Sequence, residues 1–374
     1  MDQLIADLRA QVRGEVRFDP VSRALYATDA SIYQIEPLGV VLPRDEQDVA
    51  ATLRLARRHG AAVLPRGGGT SLAGQTVGRA IQIDFTHSMN RLLEVNPAEG
   101  WAWVQPGIVL DELNALLAPH DLKFAPDVSP GNRATIGGMI GNNSSGMYSL
   151  VYGKTIDHVL ELKIMLADGS VTTLGPLDDA ELRAKLTLDS LEGRAYRTVR
   201  RLGRELAGEI EQRYPKVLRR VGGYNLDAFV PGGWVSGVGY WEGASQHPTP
   251  DTHHLASFNL SKLIVGSEGT LAVILAAKLR LVPRPKHTAI DVVHFDTLDD
   301  ALDAVLPCLA CQPAAVELMD DILLDLTRNS REYAKHLATF LQGHPQAVLQ
   351  VEFFGDSQAD VTAKLDRLEQ HLRE

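Results

Sequence analysis

Residues 125–155 read APDVSPGNRATIGGMIGNNSSGMYSLVYGKT. The run holds too much Gly, Asn and Ser for a core helix, and its apolar residues are too well spaced for a disordered linker. Gly137, Gly138, Gly141 and Gly146 remove side chains where something must approach the backbone closely. Thr135, Asn142, Asn143, Ser144 and Ser145 place short donors and acceptors between them. Such a long accessible backbone suits a large polar ligand carrying phosphates and a ring. The rival reading is a surface loop, since loops also use these residues. Ile136, Met139 and Ile140 argue instead for burial beside something, and a ligand would explain both features.

Working outward, residues 62–76 read AVLPRGGGTSLAGQT. An apolar strand over 61–64 is expected to stop at Pro65. Three glycines follow, then Thr70 and Ser71. Successive glycine N–H groups in a tight turn form a nest that holds an anion. Arg66 would add charge there, or would form a surface salt bridge. The common phosphate motifs fail on spacing. Gly153-Lys154-Thr155 has the tail of a Walker A motif, but its first glycine position is Tyr148. A Rossmann fingerprint begun at Gly67 and Gly69 would need a third glycine where Leu72 stands.

PRGGGTSLAGQ (65–75), ATIGGMIGNNSSG (134–146), VYGKT (151–155) and IVGSEGTLAVI (264–274), in that order and at these separations, resemble the FAD-binding domain of the vanillyl-alcohol oxidase superfamily. Within it the chain resembles the D-lactate, glycolate and D-2-hydroxyglutarate dehydrogenase group, especially bacterial members fused to an iron–sulfur region. The resemblance spans roughly residues 20–325. It implies an α+β fold: a PCMH-type FAD-binding domain of two α/β subdomains, then the start of a ferredoxin-like cap. The expected boundaries are a lead-in over 1–35, the FAD-binding domain over 36–284 with an irregular loop at 222–258, and a partial cap over 285–374. Pro283 and Pro285 mark the junction.

By the same resemblance, FAD contacts are expected from Pro65, Arg66, Gly67, Gly68, Gly69, Thr70, Ser71, Leu72, Gly74 and Gln75. A second group is Pro126, Asp127, Val128, Thr135, Gly137, Gly138, Gly141, Asn142, Ser144, Ser145, Gly146 and Tyr152. A third is Glu268, Gly269 and Ile274. The pyrophosphate would sit on the nest of 67–71, and the backbone of 135–146 would run along pyrophosphate and ring. The turn at 266–269 would meet the adenine side or the ring side, although Glu268 alone equally suits a structural turn acceptor. No histidine precedes the first glycine loop as it does where flavin is attached covalently, so FAD is expected to be non-covalent.

Composition agrees with a soluble globular chain: 374 residues, 45% hydrophobic and 22% charged. A net charge of −10 argues against a nucleic-acid partner. No segment reaches the ~18 apolar residues of a membrane span. The N-terminal helix pattern, with Leu4, Ile5, Leu8 and Val12 on one side, lacks the apolar core of a secretory signal. A cytoplasmic chain is expected, with peripheral contact at the inner face of a membrane left open. Cys308 and Cys311 stand alone in an apolar stretch and are read as core residues; two cysteines cannot ligate a typical iron–sulfur cluster. Any such cluster lies outside this chain. His247, His253 and His254 show no ligand spacing, so no metal site is assigned.

In chain order, strands are expected at 15–18, 40–42 and 80–85, a helix over 45–59, and hairpins at 92–104 and 158–174. Helices follow at 111–118, 178–188 and 194–213. The segment 260–282 reads as a helix-to-strand passage, with strand from Thr270. Beyond it the pattern is strand (289–295), helix (298–309), strand (315–318), helices (320–328 and 331–341), strand (347–354), helix (357–373).

The resemblance implies oxidation of a D-2-hydroxy acid, hydride passing to flavin and the hydroxyl proton to a base. Electrons would pass on to an iron–sulfur region, a quinone or a protein acceptor. The family's late histidine-containing motif of Gly, Asn and His, which holds the substrate carboxylate and any metal, is absent from these residues. No catalytic base, carboxylate ligand or metal ligand is therefore carried over. The alternatives are a flavin-binding electron-relay subunit and a non-catalytic interaction module.

Overall fold

The computed structural model of the chain describes residues 1–231 and 258–373. These fall into two compact units. The first holds residues 1–146, 154–231 and 258–283; the second holds 147–153 and 284–373. The histidines at 247, 253 and 254 lie outside the described residues.

The first unit contains a four-stranded sheet. Its order is Glu15–Arg17, Gly39–Leu42, Ile81–Asp84, Val63–Arg66. The last three strands are parallel and the first is antiparallel. Helix Glu46–Arg58 crosses between two of them. Asp45 caps it, its carboxylate accepting from the N–H groups of Gln47 and Asp48. Val49, Leu55 and Ala56 on one face are buried. Asp48 on the same helix is also buried, and accepts the N–H groups of Arg13, Gly14 and Arg44 at 2.8–2.9 Å.

Strand Val63–Arg66 does not stop at Pro65. It lies at the sheet edge and pairs on one side only, so the missing proline N–H costs no ladder bond. Strand Ile81–Asp84, within the strand expected at 80–85, is buried throughout, Gln82 and Asp84 included. Its polar side chains are satisfied internally, as described below.

A five-stranded antiparallel sheet forms the rest of this unit. Its order is Leu92–Asn96, Trp101–Val104, Val273–Arg280, Val159–Met165, Val171–Leu174. The largest apolar core lies against it and includes Leu113, Phe124, Val159 and Leu279. The expected strand from Thr270 begins only at Val273, because Ser267 to Thr270 form a turn closed by Thr270 N–H to Ser267 O at 3.0 Å. The helix expected over 194–213 is two, Leu191–Glu205 and Ala207–Arg213, divided at Leu206.

Residues 136–142 form a helix, which corrects the reading of this stretch as too glycine-rich for one. Thr135 caps its start: Gly138 N–H donates to Thr135 Oγ1 at 3.3 Å. Ile136, Met139 and Ile140 are buried. At its far end the Gly266 and Glu268 N–H groups donate to the carbonyls of Ile140 and Gly141 at 2.9 and 3.0 Å. Tertiary partners at both ends thus offset the poor helix propensity of Gly137, Gly138 and Gly141.

The second unit is built on a three-stranded antiparallel sheet, ordered His287–Phe295, Ala347–Gly355, Ala315–Asp320. Leu349, Val351 and Phe353 of the central strand pack with Cys308 of helix Val305–Ala310, with Cys311 just past its end, and with Leu368 of helix Gln358–Arg373. Val348 packs instead with Leu324 and Leu337. The helix expected over 298–309 is interrupted at Ala304.

Candidate functional site

The two glycine stretches meet in the first unit around a cleft of about 1060 Å³. Residues 65–72 and Gln75 line one side. Val128, Thr135, Gly137, Gly138, Gly141, Asn142, Ser144 and Ser145 line another, and Glu268, Gly269 and Ile274 a third. Five residues singled out in the sequence do not line it: Gly74, Pro126, Asp127, Gly146 and Tyr152. Gly74 lies beside the Tyr33 ring, and Gly146 against the Asp127 carbonyl. Tyr152 belongs to the second unit, its ring 6.1 Å from that of Phe354.

The first glycine loop is shaped by two constraints. Gly69 has φ +66°, and a Cβ on it would fall 2.7 Å from the Arg66 guanidinium. A Cβ on Gly67 would overlap the Thr135 hydroxyl, so this loop and the cap of helix 136–142 touch directly. Among the described residues, none of the N–H groups of residues 67–72 donates to another protein atom. Unspent donors facing a cleft make a cradle for an anion.

The second stretch contributes differently. Ile136 and Gly137 N–H groups are spent on the carbonyls of Ile108 and Pro106, at 2.9 and 2.8 Å. This side therefore offers small surfaces and the polar side chains of Asn142, Ser144 and Ser145 rather than backbone donors.

Arg66 is neither free to bind phosphate nor a surface ion pair. Nη1 donates to the carbonyls of Tyr26 and Thr76 at 3.2 and 3.1 Å and to Gln82 Oε1 at 3.3 Å. Nη2 donates to Thr28 O at 2.8 Å, and the guanidinium lies 5.2 Å from the Tyr26 ring centre. Tyr26 in turn donates to Asp84 Oδ2 at 2.5 Å. Burial and that carboxylate together push the Tyr26 phenol upward. By these bonds Arg66 draws the lead-in onto the cleft, where Thr28, Asp29 and Ala30 join the lining. These three were missed in the sequence, where nothing but short side chains marks them. Burial opposes ionisation of Asp29, but hydrogen bonds from Ser31 and Thr76 outweigh it and hold the carboxyl below its ordinary range. Glu268 is held the other way: burial raises its pKa, against weaker lowering by hydrogen bonds from Asn142 and Gln75.

Cys308 and Cys311 are buried and unbridged, and burial pushes the Cys308 thiol up to about 11. That fits core residues. Among the described residues no group of three or more His, Cys, Asp and Glu side chains could hold a metal. No helix among them is long and apolar enough to cross a membrane.

A cleft with an anion cradle on one wall and small residues on another is a candidate site for a phosphate-bearing cofactor, and its glycine spacing is not that of the Rossmann class. Residues 37–175 match the model of an FAD binding domain, and residues 284–374 that of the C-terminal domain of FAD linked oxidases. The chain belongs to the FAD-linked oxidase family, and its cofactor is FAD.

Among curated relatives, D-2-hydroxyglutarate dehydrogenase of Pseudomonas putida is 36% identical over 368 residues, covering 96% of this chain and 34% of the relative. The Escherichia coli (strain K12) protein of the same name is 35% identical, over 95% of this chain and 33% of its own. Glycolate oxidase subunit GlcD of Bacillus subtilis is 27% identical, over 83% and 52%. The chain thus spans about a third of the length of the dehydrogenases it matches. Alkyldihydroxyacetonephosphate synthase shares the fold at TM-score 0.65 and 19% identity, covering 100% of this chain and 60% of that one. A carbohydrate oxidase from Microdochium nivale does so at 0.60 and 15%, over 98% and 59%.

Proposed function

We propose that this chain is the FAD-carrying part of a dehydrogenase that oxidises a D-2-hydroxy acid of the D-lactate, glycolate or D-2-hydroxyglutarate type. The observation that carries this reading is the meeting of both glycine stretches around one cleft whose first wall holds unspent backbone donors. The names of the relatives supply the substrate class. Bound FAD supplies the acceptor for the two electrons and hydride of a CH–OH oxidation.

The chain's own contribution is position and field. The N–H groups of Gly67 to Leu72 hold the pyrophosphate. Gly138 and Gly141 let the cofactor lie close to helix 136–142. Arg66 keeps residues 26–30 against the cleft without touching phosphate. Non-covalent attachment, an electron acceptor or iron–sulfur region outside this chain, and a cytoplasmic location with peripheral membrane contact left open belong to the same reading.

The test is the absorption spectrum of the purified chain before and after acid precipitation, then titration with D-lactate and D-2-hydroxyglutarate. Flavin bands released into the supernatant are expected. Flavin retained in the pellet would overturn non-covalent attachment. A chain that takes up no flavin from excess FAD would overturn the whole reading. Bleaching by either acid, in the chain or in the longer protein that contains it, identifies the dehydrogenase; a flavin that neither acid bleaches in the longer protein removes the substrate assignment.

A further inference from the structure

The three glycine motifs converge on one carboxyl group. Asn142 Nδ2 donates to Glu268 Oε1 at 3.0 Å, and Ser144 Oγ donates to Asn142 Oδ1 at 3.0 Å. From the first glycine loop, the Gln75 amide also acts on Glu268, lowering its pKa against the effect of burial. Gln75 Oε1 itself accepts from the Ser71 hydroxyl and from the Ala73 N–H. The carboxyl is placed by an unusual backbone: Glu268 has φ +51°, between Gly266 at +83° and Gly269 at +74°. A glutamate in the left-handed region costs energy that its surroundings must supply. Here the Glu268 N–H is fixed on Gly141 O at 3.0 Å.

Asn142, which bonds Glu268, and Gln75, which also lowers its pKa, are neutral amides. Residues 67–76 and helix 136–142 carry no titratable side chain, and the turn 266–269 carries none besides Glu268. The other charged residues lining the cleft are Asp29, Arg66 and Arg133. Arg66 is spent on Tyr26, Thr28, Thr76 and Gln82, and Asp29 is held ionised by Ser31 and Thr76. Glu268 thus lines the cleft proposed to take FAD with its carboxyl half-buried, and among the described residues no cation bonds it.

We infer that Glu268 takes up a proton when FAD enters the cleft, so that cofactor binding is proton-linked. The inference rests on the reading that FAD occupies this cleft. FAD brings two ionised phosphates into a partly desolvated site, and like charges there favour the neutral form of a carboxyl. The proton comes from the buffer acid, whose bond to it breaks as an O–H bond forms on the carboxylate, leaving the conjugate base in solution. Linkage fixes the sign. Where the complex binds a proton that the free chain lacks, FAD affinity falls as pH rises, by up to about tenfold per pH unit. The window runs from the free chain's Glu268 pKa, itself raised, to the higher value in the complex.

The experiment is calorimetric titration of the full chain, stripped of flavin, with FAD in buffers of different ionisation enthalpy and across that pH range. The expected result is uptake of up to one proton by the wild type, none by Glu268→Gln, and an affinity in that variant that no longer falls with pH. Asp29→Asn retains the uptake, which assigns it to Glu268 even where Glu268→Gln does not fold. FAD binding with no uptake, or uptake unchanged in Glu268→Gln, overturns the inference alone. No binding of FAD at any pH overturns the cofactor reading and the inference with it.

Discussion

Gly67 and Thr135, from separate glycine motifs, are in such close contact that a Cβ on Gly67 would overlap the Thr135 hydroxyl. That hydroxyl also caps helix 136–142. One point thus locks the anion cradle to the helix across the cleft. Gly67→Ala is expected to destabilise the chain by about 1–3 kcal/mol, the scale of overpacking, and to weaken FAD binding. Thr135→Ala alone removes the cap, at about 1 kcal/mol. It also removes the obstructing oxygen, so the double variant should lose less than the sum of the two. Strict additivity in chemical denaturation would show that the two residues do not touch.

Arg66 bonds four acceptors, three of them backbone carbonyls from segments 26–28 and 76. Arg66→Met leaves these without their donor. Three of these bonds are part-buried and that to Thr28 is exposed, so water can replace part of what is lost; a loss of about 1–3 kcal/mol and weaker FAD binding are expected. Lys keeps the charge but cannot span the four acceptors. Arg66→Lys should therefore remain well below wild type in melting temperature. A variant as stable as wild type but defective in FAD binding would instead make Arg66 a phosphate ligand.

That role was not legible in the sequence, and the reason is physical. Both readings of Arg66 looked for an anion, whereas its partners are carbonyls contributed by chain that the fold brings in. The lining by Thr28 and Asp29 is a consequence of the same bonds, so it was missed as well. Helix 136–142 was hidden for a similar reason: its propensity is poor, and Pro106, Ile108, Gly266 and Glu268 complete it from elsewhere. What was legible is what local chemistry decides. Asp45 and Gly60 bracket helix 46–58, Asp168-Gly169 turns the hairpin of 159–174, and the glycines of 67–69 mark the cradle. Pro65 misled because its cost depends on which side of the strand is paired.

Cys308 and Cys311 are 0% and 4% exposed, and burial keeps the Cys308 thiol protonated with a pKa of about 11. The thiolate is the reactive form. In the folded chain at mildly alkaline pH, neither cysteine should react with an aromatic disulfide reagent, and both should react after unfolding. Rapid labelling of the native chain would return the pair to consideration as a redox or metal site.

Lys262 offers the clearest pH signature in the first unit. Its ammonium donates to the carbonyls of Ile156 and Val159 at 2.6 and 2.9 Å. Burial lowers its pKa to about 8, partly opposed by Asp157 and reinforced by Arg280. In the unfolded chain a lysine titrates near 10.4. Between these values the unfolded state binds a proton that the folded state lacks, so this group makes stability rise with pH there. Below the folded pKa both states hold the proton and the penalty is constant. Lys262→Met abolishes the titration. Relative to that variant, the wild type should gain up to about 1.4 kcal/mol per pH unit across the window. Urea unfolding of both proteins over that range measures the difference directly. Parallel curves would mean that the buried lysine keeps an ordinary pKa, stabilised by the two carbonyls and Asp157 more than burial disfavours its charge.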